Sequence, residues 1–269
     1  MSTYIHGTHP EEQERLSLLN TLINDRCISL LDIAPGARII DFGSGLGQFT
    51  MRMGMLTGPG GYCLGIERDT AQLTHARKDL QASGLTQIEY RQGNVEDINL
   101  GNEEGSFDLA HARFILEHVS HPEKVVQAMR RAIKSGGKVL LLDDDHDTMR
   151  LNPEPSEFKR LWTAYMQSYE ALGNDPVVGR KLVSLLHHEG LHRIQNGVVF
   201  FGDCAGTKTF QVYANNLLGI LEGSRDLMLK KNLIGPTEYT VGIKGIQEWS
   251  RMPDAALWYS INWASGERI

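Results

Sequence analysis

The chain contains little cysteine, with only Cys27, Cys63 and Cys204 among 269 residues. Their number is odd and no Cys-x-x-Cys spacing occurs, so neither a disulfide framework nor a thiolate metal site is indicated. Scattered thiols of this kind are typical of proteins in a reducing compartment. We therefore expect a cytoplasmic protein.

Long apolar runs and basic runs are also missing. No apolar stretch approaches the roughly 20 residues that cross a bilayer, and the N-terminus lacks the basic and apolar regions of a signal peptide. Lys plus Arg number 27 against 33 Asp plus Glu, which gives a formal net charge of −6. No Lys/Arg run exceeds two residues. We expect no membrane segment and no nucleic-acid partner, because a nucleic-acid binder usually carries a basic face.

The middle of the chain alternates short apolar strands with longer helical patterns. The predicted strands cover 38–42, 62–67, 88–92, 107–112 and 138–143. Such an alternation indicates right-handed βαβ units and a mainly parallel sheet, so we predict an α/β fold.

Three regions follow from this reading. Residues 1–35 read as an N-terminal helical cap and residues 36–150 as the core. Residues 151–269 are mostly helical and contain two further strand candidates, Val198–Phe201 and Ala256–Trp263.

A glycine cluster stands between the first strand and the next helix, in the stretch Asp41-Phe42-Gly43-Ser44-Gly45-Leu46-Gly47. Glycine permits positive φ and close approach of a ligand to the backbone, and a helix N-terminus presents free N–H groups. Glu67 ends the second strand 20 residues after Gly47, where a carboxylate can accept hydrogen bonds from both hydroxyls of a ribose. The same residues can also be a tight turn and an exposed acid.

A polar residue also follows the third strand, at Gly93-Asn94-Val95. The Asn94 amide can contact an adenine amine while Val95 packs against the ring, or Asn94 can simply stabilise a turn.

The ordered set of motifs resembles the class I S-adenosylmethionine-dependent methyltransferases, in particular the small-molecule enzymes related to ubiquinone/menaquinone methylation. The matching stretches are 39–47, Gly65-Ile66-Glu67, Gly93-Asn94-Val95-Glu96-Asp97, Ser106-Phe107-Asp108, 114–119 and 134–138. The resemblance implies a Rossmann-like, seven-stranded, mostly parallel sheet with the last strand antiparallel. It also implies helical insertions that cover the active site, because a long helical stretch separates the last two strands.

The resemblance assigns a cofactor, S-adenosyl-L-methionine, and residues to bind it. The implied set is Tyr4, Arg15, Asp41, Gly43, Ser44, Gly45, Glu67, Arg68, Leu73, Asn94, Val95 and Arg113. The glycine loop would line the methionine half and Glu67 would hold the ribose. Many relatives have Asp where this chain has Asn94, whose side-chain oxygen can still accept from the adenine amine.

Methyl transfer onto a small molecule is an in-line displacement in which the protein aligns the nucleophile and excludes water. If the acceptor must lose a proton, the candidate catalytic residues are His118, Asp144 and His146. His118 can instead be a buried structural histidine. The acidic stretch Asp143–Asp147 can hold a metal or cap the next element, and we expect no metal.

Aromatic residues give the candidates for a substrate pocket. Phe114, Trp162 and Tyr165 are predicted to line it, although the helical spacing of the last two is also typical of a core.

Two other functions remain open. A nicotinamide-dependent oxidoreductase prefers Gly-x-Gly-x-x-Gly, whereas Gly43, Gly45 and Gly47 are spaced by two throughout. A non-catalytic nucleoside-binding scaffold would keep the same loop without turnover. The partner is expected to be a small-molecule acceptor, and the protein a monomer or a homodimer through its inserted helices.

Overall fold

A computed structural model describes residues 23–269 of the chain. The strands are β1 (Arg38–Phe42), β2 (Tyr62–Glu67), β3 (Ile88–Gln92), β4 (Phe107–Arg113), β5 (Ile133–Asp144), β6 (Arg150–Asn152), β7 (His192–Cys204) and β8 (Ala256–Glu267). The helices are α1, described over residues 23–28, α2 (Gln48–Thr57), α3 (Thr70–Ser83), α4 (Pro122–Ala132), α5 (Phe158–Glu170), α6 (Leu182–His188), α7 (Phe210–Gly223), α8 (Arg225–Lys230) and α9 (Pro236–Trp249). The strand–helix alternation predicted up to β5 is confirmed.

All strands belong to one sheet. Strands β3, β2, β1, β4 and β5 lie side by side in that order and are parallel. Strand β8 pairs antiparallel with β5, and both β6 and β7 pair antiparallel with β8. The chain order therefore reverses between β1 and β4, and a ligand crevice is expected at the carboxyl ends of these strands. This topology confirms the Rossmann-like class with an antiparallel last strand.

The sheet differs from the predicted one in two details. Within residues 23–269 it has eight strands rather than seven. The additional strand is β6, whose three residues are too few to show a strand pattern in the sequence. Strand β7 spans His192–Cys204 rather than Val198–Phe201. Its first half is polar and largely exposed at the edge of the sheet, so it lacks the apolar pattern that predicts a strand.

Local signals explain the elements around the crevice. Ile39, Ile40 and Phe42 of β1 are fully buried, as expected for a central parallel strand covered on both faces. The carboxylate of Asp69 caps α3 by accepting a 2.8 Å hydrogen bond from the amide of Gln72.

The predicted helical insertions are present. Helix α5 packs against α8 and α9, while α7 packs against β7 and β8. These helices, helix α1 and one face of the sheet enclose one of the two apolar cores of the described chain. Within residues 23–269 no helix combines the length and apolarity needed to cross a membrane.

Candidate active site

The glycine loop after β1 has the backbone conformation that its composition predicts. Gly43, Gly45 and Gly47 have φ values of 78°, 56° and 79°, which are left-handed. A Cβ atom at Gly47 would lie 2.4 Å from the hydroxyl oxygen of Tyr90, and one at Gly43 would lie 2.0 Å from Cδ1 of Ile115. Both conformation and space therefore require glycine at these two positions.

The carboxylate of Glu67 faces this loop from the end of β2. Its Oε2 accepts a 3.0 Å hydrogen bond from the amide of Gly45, and its Oε1 accepts 2.8 Å bonds from the amides of Arg68 and Asp69. Burial raises the pKa of the Glu67 carboxyl, and these amides offset only part of the effect. The backbone thus holds a carboxylate in a fixed orientation at the rim of the crevice.

A cleft of about 380 Å³ lies between these elements, a size ordinary for a small-ligand site. Its lining is drawn from residues 41–119 and includes most of the predicted set. The predicted residues found in the lining are Asp41, Gly43, Ser44, Gly45, Glu67, Arg68, Asn94, Val95, Arg113, Phe114 and His118. Leu73 lies instead in the apolar core, 1% exposed. Tyr4 and Arg15 fall outside the described residues.

The floor of the cleft contains a buried polar group of side chains. Asp41 accepts a 2.5 Å hydrogen bond from the Thr50 hydroxyl, and its other oxygen lies 2.7 Å from Nδ1 of His111. The His111 ring packs on Phe49, with ring centroids 4.9 Å apart. Nε2 of His111 has no hydrogen-bond partner among residues 23–269. One ring nitrogen is thus left to interact with a ligand in the cleft.

Arg113 closes one side of the cleft at the end of β4. Its guanidinium lies over the Phe49 ring at 4.1 Å and donates a 2.9 Å hydrogen bond to Asn24. Burial lowers the pKa of Arg113, but an arginine so placed remains charged at neutral pH. A positive group is therefore fixed at this side of the cleft.

The loop after β4 carries His118 into the cleft and Glu117 behind it. Asp143, at the end of β5, accepts hydrogen bonds from the amides of Ile115 and Leu116 at 3.1 and 2.8 Å and so holds this loop. The His118 ring stacks on Tyr169 of α5, with centroids 5.7 Å apart. Burial, together with the nearby charges of other residues, lowers the pKa of His118 to about 3. His118 is therefore neutral at physiological pH.

Asp144 and His146, the other two catalytic candidates, lie outside the cleft lining. They form a cluster with Glu117, in which one atom of each side chain lies within 4.8 Å of the others. Nε2 of His146 is 3.0 Å from Oε2 of Glu117, although the orientation is not that of a hydrogen bond. Burial raises the pKa of Glu117 to about 8. It also raises the pKa of Asp144 well above its usual range, and the charge of Glu117 adds to this effect.

Trp162 and Tyr165, expected at the substrate pocket, are core residues around this cluster. Both contact the edge of the His146 ring, at centroid distances of 5.6 and 5.3 Å. The Trp162 indole donates a 2.7 Å hydrogen bond to the carbonyl of His146. Among the residues predicted for the substrate pocket, only Phe114 lines the cleft.

Several lining residues were not predicted. They open the helices that follow the first two strands, and they are Gln48, Phe49, Thr70 and Gln72. Because the first turn of a helix after a parallel strand lies at the carboxyl edge of the sheet, their positions in the sequence contained this information. The pairing of Asp41 with His111 contained no such signal, since the residues are 70 positions apart.

The fold is an α/β fold of the Rossmann-like class, with a cleft at the carboxyl ends of its parallel strands. A family described as "methyltransferase domain" matches residues 33–190, which is more than half of the chain. The chain belongs to this family, and the predicted methyltransferase class is confirmed.

Relatives identified by sequence agree with this assignment. The chain is similar to the demethylmenaquinone methyltransferase of Desulfitobacterium hafniense, 25% identical over 236 residues, with 83% of this chain and 90% of that protein covered. It is also similar to the Bacillus cytotoxicus demethylmenaquinone methyltransferase, 25% identical over 153 residues, with 54% and 64% covered. The chain therefore spans less than two thirds of the Bacillus protein's length.

Among solved structures, the fold matches phosphoethanolamine N-methyltransferase 2 of Haemonchus contortus with a TM-score of 0.55 and 16% identity. The match covers 95% of this chain and 53% of that one, whose structure holds phosphomonomethylethanolamine and S-adenosylhomocysteine.

Proposed function

We propose that this protein is an enzyme that transfers a methyl group from S-adenosyl-L-methionine to a small-molecule acceptor. One observation carries the proposal: the Glu67 carboxylate at the end of β2 and the glycine loop after β1 face the same cleft and are joined by the Gly45–Glu67 hydrogen bond. This is the arrangement that holds a ribose next to a backbone-lined pocket. Membership of the methyltransferase domain family favours this nucleoside over a nicotinamide dinucleotide.

The residues present fit the cofactor. Glu67 offers two carboxylate oxygens to the ribose hydroxyls, and Asn94 and Val95 offer an amide oxygen and an apolar surface to the adenine. The hydroxyl of Ser44 is buried without a hydrogen-bond partner among the described residues, and Ser44 belongs to the cleft lining. In our proposal it donates to the methionine half. S-adenosylmethionine, when bound, supplies a methyl group activated by a positively charged sulfonium.

The acceptor is proposed to enter beside Phe114 and His118. Phe114 has a φ of 56°, a conformation uncommon for a residue with a side chain, and its amide donates a 3.0 Å hydrogen bond to the carbonyl of Leu142. The backbone thus holds the aromatic ring at the cleft, where it excludes water and restricts the orientation of the acceptor. His118 is neutral, so it can accept a hydrogen bond from an acceptor hydroxyl or amine. Asp144 and His146 lie outside the cleft lining, so we propose that they do not touch the acceptor and instead position the loop that carries His118.

We also propose that the protein works in the cytoplasm, without nucleic acid, as a monomer or homodimer. All three cysteines are free thiols, and two of them are buried, which supports a reducing compartment. The net charge of −6 disfavours binding to a polyanion.

Isothermal titration calorimetry with S-adenosylmethionine and with NAD tests the proposal. We expect wild-type protein to bind S-adenosylmethionine and not NAD, and Glu67→Gln to bind it about 10- to 100-fold more weakly, since hydrogen bonds to a charged group contribute about 1.5–3 kcal/mol. Glu123→Gln, an exposed acid on α4, is the matched control and should bind as wild type does. Binding of NAD alone, or of neither nucleotide, would contradict the proposal.

Turnover separates an enzyme from a scaffold. With a panel of small hydroxyl, amine and carbon acceptors, an enzyme forms S-adenosylhomocysteine together with a product heavier by one methyl group. Tight binding of S-adenosylmethionine without product from any acceptor favours the scaffold.

A further inference from the structure

The cluster behind the cleft consists of Glu117, Asp144 and His146. Glu117 follows β4 in a 3-10 turn, Asp144 ends β5, and His146 opens the next 3-10 turn, so three separate positions converge. Oε2 of Glu117, Oδ1 of Asp144 and Nε2 of His146 are all buried, and none has a hydrogen-bond partner among residues 23–269. Glu117 and His146 are only 3% and 4% exposed. Buried polar atoms in proteins nearly always have a partner, so this convergence indicates a ligand common to the three.

The surroundings orient the imidazole toward the two acids. The Tyr259 hydroxyl lies 2.9 Å from Nδ1 of His146. If Nδ1 carries the proton and donates to Tyr259, Nε2 keeps its lone pair for a ligand. The Trp162 indole fixes the backbone of His146 through its 2.7 Å hydrogen bond. A second group that binds the other ring nitrogen is the usual companion of a metal-ligating histidine.

The charge of the cluster points in the same direction. Within the described residues, no Lys or Arg forms an ion pair with Glu117 or Asp144, and the carboxylate of Glu117 lies beside His118 and His146. Two buried carboxylates without a cation are costly to ionise. A water molecule can satisfy the orphaned atoms, but it does not stabilise two ionised carboxylates. A divalent cation does both.

We propose that Glu117, Asp144 and His146 bind a divalent transition-metal ion such as Zn²⁺, Mn²⁺, Fe²⁺ or Co²⁺. Two carboxylates and one imidazole suit these ions, whereas Mg²⁺ and Ca²⁺ prefer oxygen ligands only. Three protein ligands leave coordination positions open for water or another small ligand. Asp144 is partly buried as a residue, whereas Glu117 and His146 are buried. The proposal goes beyond methyl transfer, does not rest on it, and departs from the expectation of a metal-free protein.

Titration with Co²⁺ tests this site, because its visible d–d bands report the ligand set directly. Untagged protein is first treated with a chelator and dialysed. We expect Co²⁺ to bind with d–d bands typical of nitrogen and oxygen ligands, and Zn²⁺ to displace it. Glu117→Gln should weaken Co²⁺ binding by more than about 100-fold and Tyr259→Phe by about 10- to 100-fold, since loss of a second-shell partner alone has the latter effect.

Surface histidines provide the control. His187 and His188 are adjacent, with ring centroids 6.1 Å apart, and the double variant His187→Gln/His188→Gln should bind Co²⁺ as wild type does. Circular dichroism checks that each variant is folded. If Glu117→Gln is not folded, the Co²⁺ affinity of Tyr259→Phe tests the site instead.

Three results would overturn the metal site. The first is that the wild-type protein does not bind Co²⁺, and the second is that the folded cluster variants bind Co²⁺ with unchanged affinity. The third is that the His187/His188 variant loses Co²⁺ binding. S-adenosylmethionine calorimetry on the same samples distinguishes this failure from failure of the proposed methyltransferase activity.

Discussion

His111 and Asp41 are joined by a 2.7 Å contact at the floor of the cleft, and both side chains are almost fully buried. They occupy register positions opposite each other on the neighbouring parallel strands β4 and β1. The same carboxylate also accepts the hydroxyl of Thr50 from α2. Asp41 therefore ties two strands and one helix together directly beneath the proposed cofactor site.

Replacement of Asp41 by Ala should destabilise the protein. The change removes the Asp41 partner of the Thr50 hydroxyl and of a buried His111 ring nitrogen, and each such loss costs roughly 1–3 kcal/mol. We expect the free energy of unfolding in urea to fall by about 2–6 kcal/mol. Asp25→Ala removes an exposed aspartate paired with Arg52 and should cost at most about 1 kcal/mol. Equal losses of unfolding free energy in the two variants would show that the buried contacts of Asp41 stabilise the fold no more than an exposed ion pair does.

Gly47→Ala should destabilise the protein more than Gly84→Ala. Both glycines have left-handed backbone conformations, so both substitutions impose a backbone cost of roughly 1–2 kcal/mol. A Cβ at Gly84 meets nothing within 4 Å, whereas one at Gly47 meets the Tyr90 ring and Ala76 at less than 3 Å. The difference in unfolding free energy therefore measures the close packing of the loop. We expect Gly47→Ala to lose about 1–3 kcal/mol more of its unfolding free energy than the control variant. Calorimetry should also show weaker S-adenosylmethionine binding by Gly47→Ala. Similar losses of unfolding free energy in the two variants would contradict this prediction.

Asp108 should make stability depend on pH in the acidic range. Burial raises the pKa of its carboxyl, but the amide of Arg38 at 2.8 Å and the Lys134 ammonium at 2.5 Å outweigh this and lower it overall. A carboxyl whose pKa is lower in the folded state stabilises the protein above its unfolded pKa of about 3.9. The stabilisation is lost as the pH falls through the folded pKa.

The measurement compares thermal unfolding of wild type and Asp108→Asn between neutral and strongly acidic pH. We expect the variant to be less stable at neutral pH and the two curves to converge below about pH 4. A difference that stays constant shows no linkage to this carboxyl, and one that grows in acid has the opposite sign; either result would rule out the assignment.

His118→Gln should lower turnover without weakening cofactor binding. His118 lies in the cleft lining on the side proposed for the acceptor, and contacts to the reacting group typically contribute at least about tenfold in rate. With an acceptor found in the screen, S-adenosylhomocysteine formation should fall by at least about tenfold, while the S-adenosylmethionine Kd stays within about twofold. His121→Gln changes a half-exposed histidine on the same loop and should leave both quantities unchanged. Unchanged turnover in His118→Gln would assign His118 a structural role.

The sequence predicted the parts of the site that depend on short stretches of chain. The glycine loop and the acid at the end of β2 each follow from residues within a few positions of one another, because positive φ is a local requirement. The weakly patterned elements, namely β6 and the first half of β7, were not predictable in this way. Burial of Trp162 and Tyr165 was one of two readings of their helical spacing, and the packing of α5 on the His146 cluster decided between them.

The amino-acid pattern alone thus specified a mainly parallel α/β core and its crevice at the carboxyl ends of the strands, through periodicity and motifs whose parts are close in sequence. The Rossmann-like class and the cofactor to expect came from the resemblance of those motifs to a known family. The tertiary structure decided which distant atoms meet: Asp41 with His111, and Glu117 with Asp144 and His146. Such groupings depend on strand register and on the path of the loops between strands. Both are set by packing of the whole sheet, so no short stretch of sequence encodes them.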